Sequence, residues 1–73
     1  MELTRAVGEN IKRIRKSKKL SMERLAAEAG VSRSMLGQIE RGEANPSVGL
    51  LGKLARALKI PAEVLLDNDD FEP

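Results

Sequence analysis

The stretch from 20 to 42, LSMERLAAEAGVSRSMLGQIERG, decides the fold of this chain. Ser21 and Ser32 each stand just before a run of apolar residues at helical spacing, and serine at that position caps helices. A glycine follows each run, and glycine ends helices because it tolerates left-handed backbone. The pattern predicts two short helices, over about 22–29 and 33–41, with a tight turn between them.

The turn between these two helices is too short for them to lie antiparallel, so they must cross at a steep angle. Ala26 is small enough for the second helix to approach, and Gly30 can take the left-handed conformation that ends the first helix. Leu36 and Ile39 then fill the angle between them. This arrangement of a small residue, a glycine and an aliphatic residue is typical of a helix-turn-helix. From these residues alone, an αα-corner in a helical bundle is the alternative.

Apolar periodicity predicts three more helices and no strand in the rest of the chain. One covers about 3–18, one covers 48–59 after a serine cap, and a last short one covers 62–66 after Pro61. The residues expected to point inward are Leu3, Val7, Ile11 and Ile14, then Met22, Leu25, Ala26 and Ala29, then Met35, Leu36 and Ile39, and finally Val48, Leu51, Leu54, Ala55 and Leu58.

Length and composition fit one small domain. The expected fold is an all-α, compact bundle of about five short helices over residues 1–66, followed by an acidic tail or the start of a linker over 67–73. The chain has no cysteine and no histidine, so we expect no metal site, no cofactor and no enzyme activity. No signal peptide or membrane span is recognisable, which predicts a soluble protein of the reducing cytoplasm.

The net charge of +2 hides a strong polarity along the chain. The first 61 residues hold all 13 lysines and arginines and only six acids, whereas residues 62–73 hold five acids. The basic part favours a polyanionic partner such as nucleic acid. The alternative is that the run KRIRKSKK, residues 12–19, is only the solvated face of a helix.

The outer face of the third helix favours DNA. At 100° per residue, Arg33, Ser34, Gly37, Gln38 and Arg41 gather opposite the apolar side. Arginine can donate two hydrogen bonds to guanine, glutamine can pair with adenine, and serine can bind a base or a phosphate. Glycine weakens a helix by about 1 kcal/mol relative to alanine, so here it either permits close approach to a groove or is a tolerated defect.

LSMERLAAEAGVSRSMLGQIERGEANPS, followed by LLGKLARAL, resembles the phage-repressor and Cro-like helix-turn-helix transcription regulators of the xenobiotic-response-element type. The resemblance covers residues 8–66. It implies a lambda-repressor-like bundle whose third helix enters the major groove, and a homodimer on a palindromic operator. The wording SRSMLGQIERGEANPS also resembles regulators that carry a carboxy-terminal cupin sensor domain.

The resemblance also implies roles for individual residues. Those that would face bases are Ser32, Arg33, Ser34 and Gln38, and those near phosphates are Ser21, Met22, Arg15, Arg41 and Asn45. Arg15 and Glu40 match a salt bridge between helices 1 and 3. The chain departs from the pattern at Met22, where many relatives have a glutamine that holds a phosphate; only backbone N–H groups remain there. The dimer candidates are Val64 and Leu65 on the last helix.

A protein-interaction module, or an antitoxin that binds both a toxin and its own promoter, is the alternative function. In that case the face of the third helix, or Val64, Leu65 and Leu66, would contact a protein. RNA binding is less favoured because Phe71 is the only aromatic residue and unpaired bases need aromatic side chains for stacking. The hypothesis favoured by the sequence is a sequence-specific double-stranded DNA-binding domain that acts as a transcriptional repressor.

Overall fold

The computed structural model describes residues 3–66, with side chains from Thr4 onward. In that range it contains five helices, and no strand is present among these residues. They are α1 Leu3–Ser17, α2 Met22–Ala29, α3 Arg33–Glu40, α4 Val48–Leu58 and α5 Ala62–Leu65. The all-α prediction is therefore confirmed. The predicted acidic tail over 67–73 and the inward side chain predicted for Leu3 lie outside the described residues.

Serine hydroxyls begin α2, α3 and α4. Ser21, Ser32 and Ser47 have extended backbone, and each hydroxyl oxygen accepts a hydrogen bond of 3.0–3.1 Å from the amide three residues later. Each cap satisfies an amide that the start of a helix leaves without an intrahelical partner. The three caps predicted from the sequence are confirmed.

A residue with left-handed backbone follows four of the helices. Gly30 and Gly42 have φ of 73° and 76°, and Lys19 and Lys59 have φ of 60° and 61°. In each case the next amide donates to the carbonyl oxygen five residues earlier, at 2.8–3.0 Å. This is the Schellman pattern, and it satisfies the last carbonyls of each helix. The two lysines adopt a conformation that favours glycine.

Lys59→Gly is expected to raise the free energy of unfolding by about 0.5–1 kcal/mol, because glycine has no Cβ to oppose φ of 61°. The matched control is Lys53→Gly, an exposed position inside α4, which should lose about 1 kcal/mol. Chemical denaturation of both variants measures the two changes. A loss of stability in Lys59→Gly would show that the backbone at this residue is not strained.

The core lies where α1 packs against α3, α4 and α5, and where α2 packs against α3 and α4. Nearly all of the predicted inward residues take part. The buried apolar cluster consists of Val7, Ile11, Ile14, Leu25, Ala26, Ala29, Leu36, Ile39, Leu54, Ala55, Leu58 and Leu65. Leu20, Met22, Val31 and Leu51 pack against it and are partly buried. The predicted contact of Ala26, Leu36 and Ile39 at the junction of α2 and α3 fits this core.

Two residues that were predicted to point inward, Met35 and Val48, lie at the surface. Met35 is 40% exposed and Val48 is 87% exposed. Met35 lies about 100° around the helix from Leu36, and buried Glu40 extends the inward arc of α3 on the other side of Leu36. Val48 is the first residue of α4, and the apolar stripe of that helix is covered only farther along.

Leu65, which was predicted to lie at a dimer interface, belongs to the core. Its side chain is fully buried, and its carbonyl oxygen accepts a 2.9 Å hydrogen bond from the Asn10 amide group of α1. The expectation that the Leu65 side chain faces a second chain is therefore wrong, because that side chain is already covered by the apolar core of its own chain. Val64 is partly buried, and Leu66 is 42% exposed.

The backbones of α1 and α3 approach most closely at Gly8. A methyl group at this position would overlap the carbonyl oxygen of Ile39 and would lie 3.0 Å from the carbonyl oxygen of Glu40. Gly8 thus allows the end of α3 to rest directly on α1. No local pattern in the sequence marks this glycine, because the residue that it meets is 31 positions away.

Candidate nucleic-acid interface

The exposed side of α3 carries the residues predicted to read bases. Ser32, Arg33, Ser34 and Gln38 are all exposed, whereas Leu36 and Ile39 on the other side are fully buried. Ser32 also caps the helix, since its hydroxyl oxygen accepts the amide of Met35. The short helix is therefore fixed to the core by one side and presents arginine, serine and glutamine on the other.

Gly37 does not lie open on this face, as the sequence suggested, but is buried. A Cβ built on it would lie 3.1 Å from Nη1 of Arg41, 3.7 Å from Cε of Met22 and 3.9 Å from Nη1 of Arg33. Side chains of α2, of α3 and of the residue that follows α3 thus cover the glycine. Because glycine has no side chain, these neighbours have room within the protein itself. This is a third explanation for the glycine, beside the two given by the sequence, close approach to a groove and a tolerated defect.

Arg33 forms an ion pair that joins α3 to α2. Its Nε lies 3.1 Å from Oε2 of Glu23, and both side chains are more than half exposed. A hydrogen bond from the backbone of Glu23 and then the Arg33 guanidinium hold the pKa of this carboxyl below its ordinary value. The carboxylate of Glu23 is therefore charged at neutral pH and lies beside Arg33 on the exposed side of α3.

The start of α2 contributes Ser21 and Met22. Ser21 is exposed and its hydroxyl oxygen accepts the amide of Arg24 at 3.0 Å. Met22 is partly buried and directs its terminal methyl group toward Gly37. Of Met22, only the backbone N–H can therefore bind an anion at this helix start, where the partial positive charge of the helix lies.

Arg15 and Glu40 form the predicted bridge between α1 and α3. Nε of Arg15 lies 2.7 Å from Oε2 of Glu40, and Nη2 lies 3.1 Å from Oε1. Nη1 donates to the carbonyl oxygen of Leu20 at 2.9 Å. Only 9% of the Arg15 side chain is exposed, so Arg15 connects α1 to α3 within the domain, and its contact with a phosphate stays a prediction.

The loop after α3 carries Arg41 and Asn45, the other predicted phosphate contacts. Arg41 donates two hydrogen bonds of 3.1 Å to the carboxylate of Glu43, which lower the pKa of Glu43 and raise that of Arg41. Asn45 is exposed, and its Oδ1 accepts a 3.1 Å hydrogen bond from the hydroxyl of Thr4 in α1. This bond ties the loop to α1 and leaves the amide nitrogen of Asn45 out of the contact.

The same fold and residue pattern occur in a known family. The helix-turn-helix family HTH_3 matches residues 11–65, which is most of the chain. The chain belongs to this family. Its members are Cro/C1-type DNA-binding transcriptional regulators, so the resemblance drawn from the sequence is confirmed.

Two curated relatives and one solved structure illustrate the similarity. HTH-type transcriptional regulator SutR of Escherichia coli is 44% identical over 59 residues, which are 81% of this chain and 33% of SutR. The uncharacterized HTH-type transcriptional regulator y4dJ of Sinorhizobium fredii is 37% identical over 73 residues, all of this chain and 95% of y4dJ. The structure of SinR, a master regulator for biofilm formation, in complex with DNA has a TM-score of 0.80 and 42% identity, and it covers 84% of this chain and 98% of that one.

Two features of this helix-turn-helix escaped the sequence analysis. They are the contacts of Glu23 with Arg33 and of Glu43 with Arg41. Glu23 is ten residues from Arg33, so no i, i+4 spacing could indicate their contact. The sequence places no acidic residue at the centre of the exposed face of α3. In the structure, a carboxylate from outside that face forms an ion pair with each of its two arginines, Arg33 and Arg41.

Residues 3–66 contain the five helices described above. None of the five helices there is both long and apolar enough to cross a membrane. In the same range, no three potential metal-ligating side chains lie together.

Proposed function

We propose that this helix-turn-helix domain binds double-stranded DNA at specific sequences and acts as a transcriptional repressor in the cytoplasm. The observation that carries the proposal is the exposed face of α3, where Arg33, Ser34 and Gln38 project away from a core that holds the opposite side. The similarity to DNA-bound SinR supports it. The proposed action is binding alone, with no catalytic step: a domain bound over a promoter excludes the polymerase.

Base recognition is assigned to α3 in the major groove. Arg33 can donate two hydrogen bonds to guanine O6 and N7, and Gln38 can form a pair of bonds with adenine N6 and N7. Ser34 can reach a base or a phosphate. Ser32 keeps its hydroxyl oxygen on the amide of Met35, so it contributes through its hydroxyl proton.

Phosphate contacts would fix the domain on the duplex without reading sequence. The candidates that the structure leaves accessible are Ser21 and the backbone N–H of Met22, Arg41, and the amide nitrogen of Asn45. Exposed lysines on α1 and its C-terminal turn add positive charge, which attracts a polyanion that lies within a Debye length of them.

Arg33→Ala is expected to weaken binding to the preferred site by about 1–3 kcal/mol and to relax the preference at one base position. The preferred site is first selected from a random duplex pool by the wild-type chain, and the variant is then measured on all four bases at each position. Arg24→Ala, which removes an exposed arginine of α2, is the control and should leave the preference unchanged. If Arg33→Ala weakens binding to every sequence equally, Arg33 contacts phosphate and not a base.

A homodimer on a palindromic site is proposed, with Val64 and Leu66 at its interface in place of the buried Leu65. Leu66 is among the few large apolar side chains that the described part of the chain leaves exposed. Leu66→Asp should convert dimers into monomers in sedimentation at several concentrations. Val48→Asp, which changes another exposed apolar residue, serves as the comparison. If only Val48→Asp dissociates the dimer, the interface is formed by the start of α4.

A further inference from the structure

Glu23 occupies an unusual place for a carboxylate in a surface proposed to face DNA. It is the second residue of α2, and its Oε2 accepts a 3.1 Å hydrogen bond from Nε of Arg33. The side chains of Arg33 and Glu23 are 54% and 71% exposed. The contact therefore lies at the surface, where a duplex that contacts Arg33 must also meet Glu23.

The guanidinium group of Arg33 is held in a definite direction. Its Nε points to Glu23, while Nη1 lies over Gly37, 3.9 Å from the position of a Cβ on that glycine. Nη1 of Arg41 lies 3.1 Å from the same point, so the two cationic groups lie within about 7 Å of each other. Glu23 and Glu43 each neutralise one of them in the free protein.

Non-specific and specific DNA place different demands on this pair. A sequence-independent contact offers Arg33 only phosphate, a second anion that must either displace the Glu23 carboxylate or lie close to it. A guanine edge offers two neutral acceptors, O6 and N7, which Nη1 and Nη2 can meet while Nε stays on Glu23. A phosphate held by Nη1 and Nη2 lies beside the Glu23 carboxylate and is repelled by it, whereas the neutral guanine acceptors are not.

We propose that Glu23 is a specificity-determining residue, whose carboxylate competes with DNA phosphates for Arg33 and directs the free edge of the guanidinium toward a base. It acts through Arg33 and is a positioning residue that lowers affinity for unrelated DNA. This inference rests on the proposed function, because it assumes that α3 contacts the duplex.

The test compares two duplexes of equal length: the site selected by the wild-type chain from a random pool, and an unrelated duplex that lacks it. Glu23→Gln in the full chain should bind the unrelated duplex about three- to fivefold more tightly, since an exposed ion pair competes only modestly. The salt dependence on that duplex should steepen by about one unit of log K per log salt, because Arg33 then neutralises a phosphate. Affinity for the selected site should change less than twofold.

Glu28→Gln is the matched control. It removes the same charge from the same helix, but Glu28 pairs with Arg24, at 2.6 Å, and not with Arg33. It should shift both affinities by one common, smaller factor. In an Arg33→Ala background, Glu23→Gln should no longer change the ratio between the two duplexes.

Three results would overturn the inference. If Glu23→Gln changes both duplexes by the factor seen for Glu28→Gln, the carboxylate acts only through net charge and the contact with Arg33 has no role in specificity. If the wild-type chain selects no sequence at all, the proposed function fails together with the inference. A selected site with an unchanged affinity ratio in Glu23→Gln would refute the inference alone.

Discussion

Gly8→Ala is expected to lower the free energy of unfolding by about 3 kcal/mol or more. The added methyl group would overlap the carbonyl oxygen of Ile39 and press against that of Glu40. Both obstacles are backbone, so no rotation of a side chain can relieve them, and α1 must move away from the end of α3. A domain of this length has roughly 4–10 kcal/mol of stability in total, so the variant should lose a large share of it.

Thermal denaturation followed by circular dichroism measures this effect, which should be a fall in the melting temperature of about 12 °C or more. The control is Gly52→Ala on the exposed side of α4, where nothing lies within 4 Å of the new methyl group. That change should stabilise the domain by about 0.5–1 kcal/mol, because alanine favours helix. A Gly8→Ala variant with unchanged melting temperature would be incompatible with the close approach of α1 and α3.

The second large effect is expected for Arg15→Ala, which should destabilise the domain by about 3–5 kcal/mol. Glu40 would be left charged, buried and without its partner, and the carbonyl oxygen of Leu20 would lose a donor. Because Glu40 is the last residue of α3, the end of that helix should loosen and binding to DNA should weaken as well.

Two further variants isolate the buried pair. Arg24→Ala breaks the exposed i, i+4 pair with Glu28 and should cost only about 0.3–0.5 kcal/mol. Replacing both partners, as in Arg15→Met with Glu40→Leu, should recover much of the loss, since no charge then remains buried. Urea denaturation gives all three free energies. Equal small losses for Arg15→Ala and Arg24→Ala would mean that the Arg15–Glu40 pair does not stabilise the native state.

Local sequence signals were sufficient for most of the fold. Ser21, Ser32 and Ser47 act through amides three residues away, and the apolar stripes repeat within a single helix, so both can be recognised without knowing the tertiary structure. The same holds for Gly30, whose effect is confined to the end of α2. Lys19 and Lys59 were not foreseen because lysine gives no sign of a left-handed backbone.

Contacts between distant segments account for what the sequence could not show. Burial of Leu65 and the close approach at Gly8 depend on how α1 packs against α5 and α3. The pairing of Glu23 with Arg33 depends on how α2 and α3 cross, which residue types alone do not specify. The exposed side of α3 was predictable because it is the complement of an apolar stripe, whereas the partners of its arginines were not.

The proposed function requires the exposed side of α3 to contact DNA bases. Its most direct test is a nuclear magnetic resonance titration of the ¹⁵N-labelled chain with the duplex selected from a random pool. The largest shift changes are expected on the backbone amides of Arg33 and Ser34 and on the side-chain amide of Gln38. Unchanged signals at these three residues, with the largest changes on α5, would contradict it.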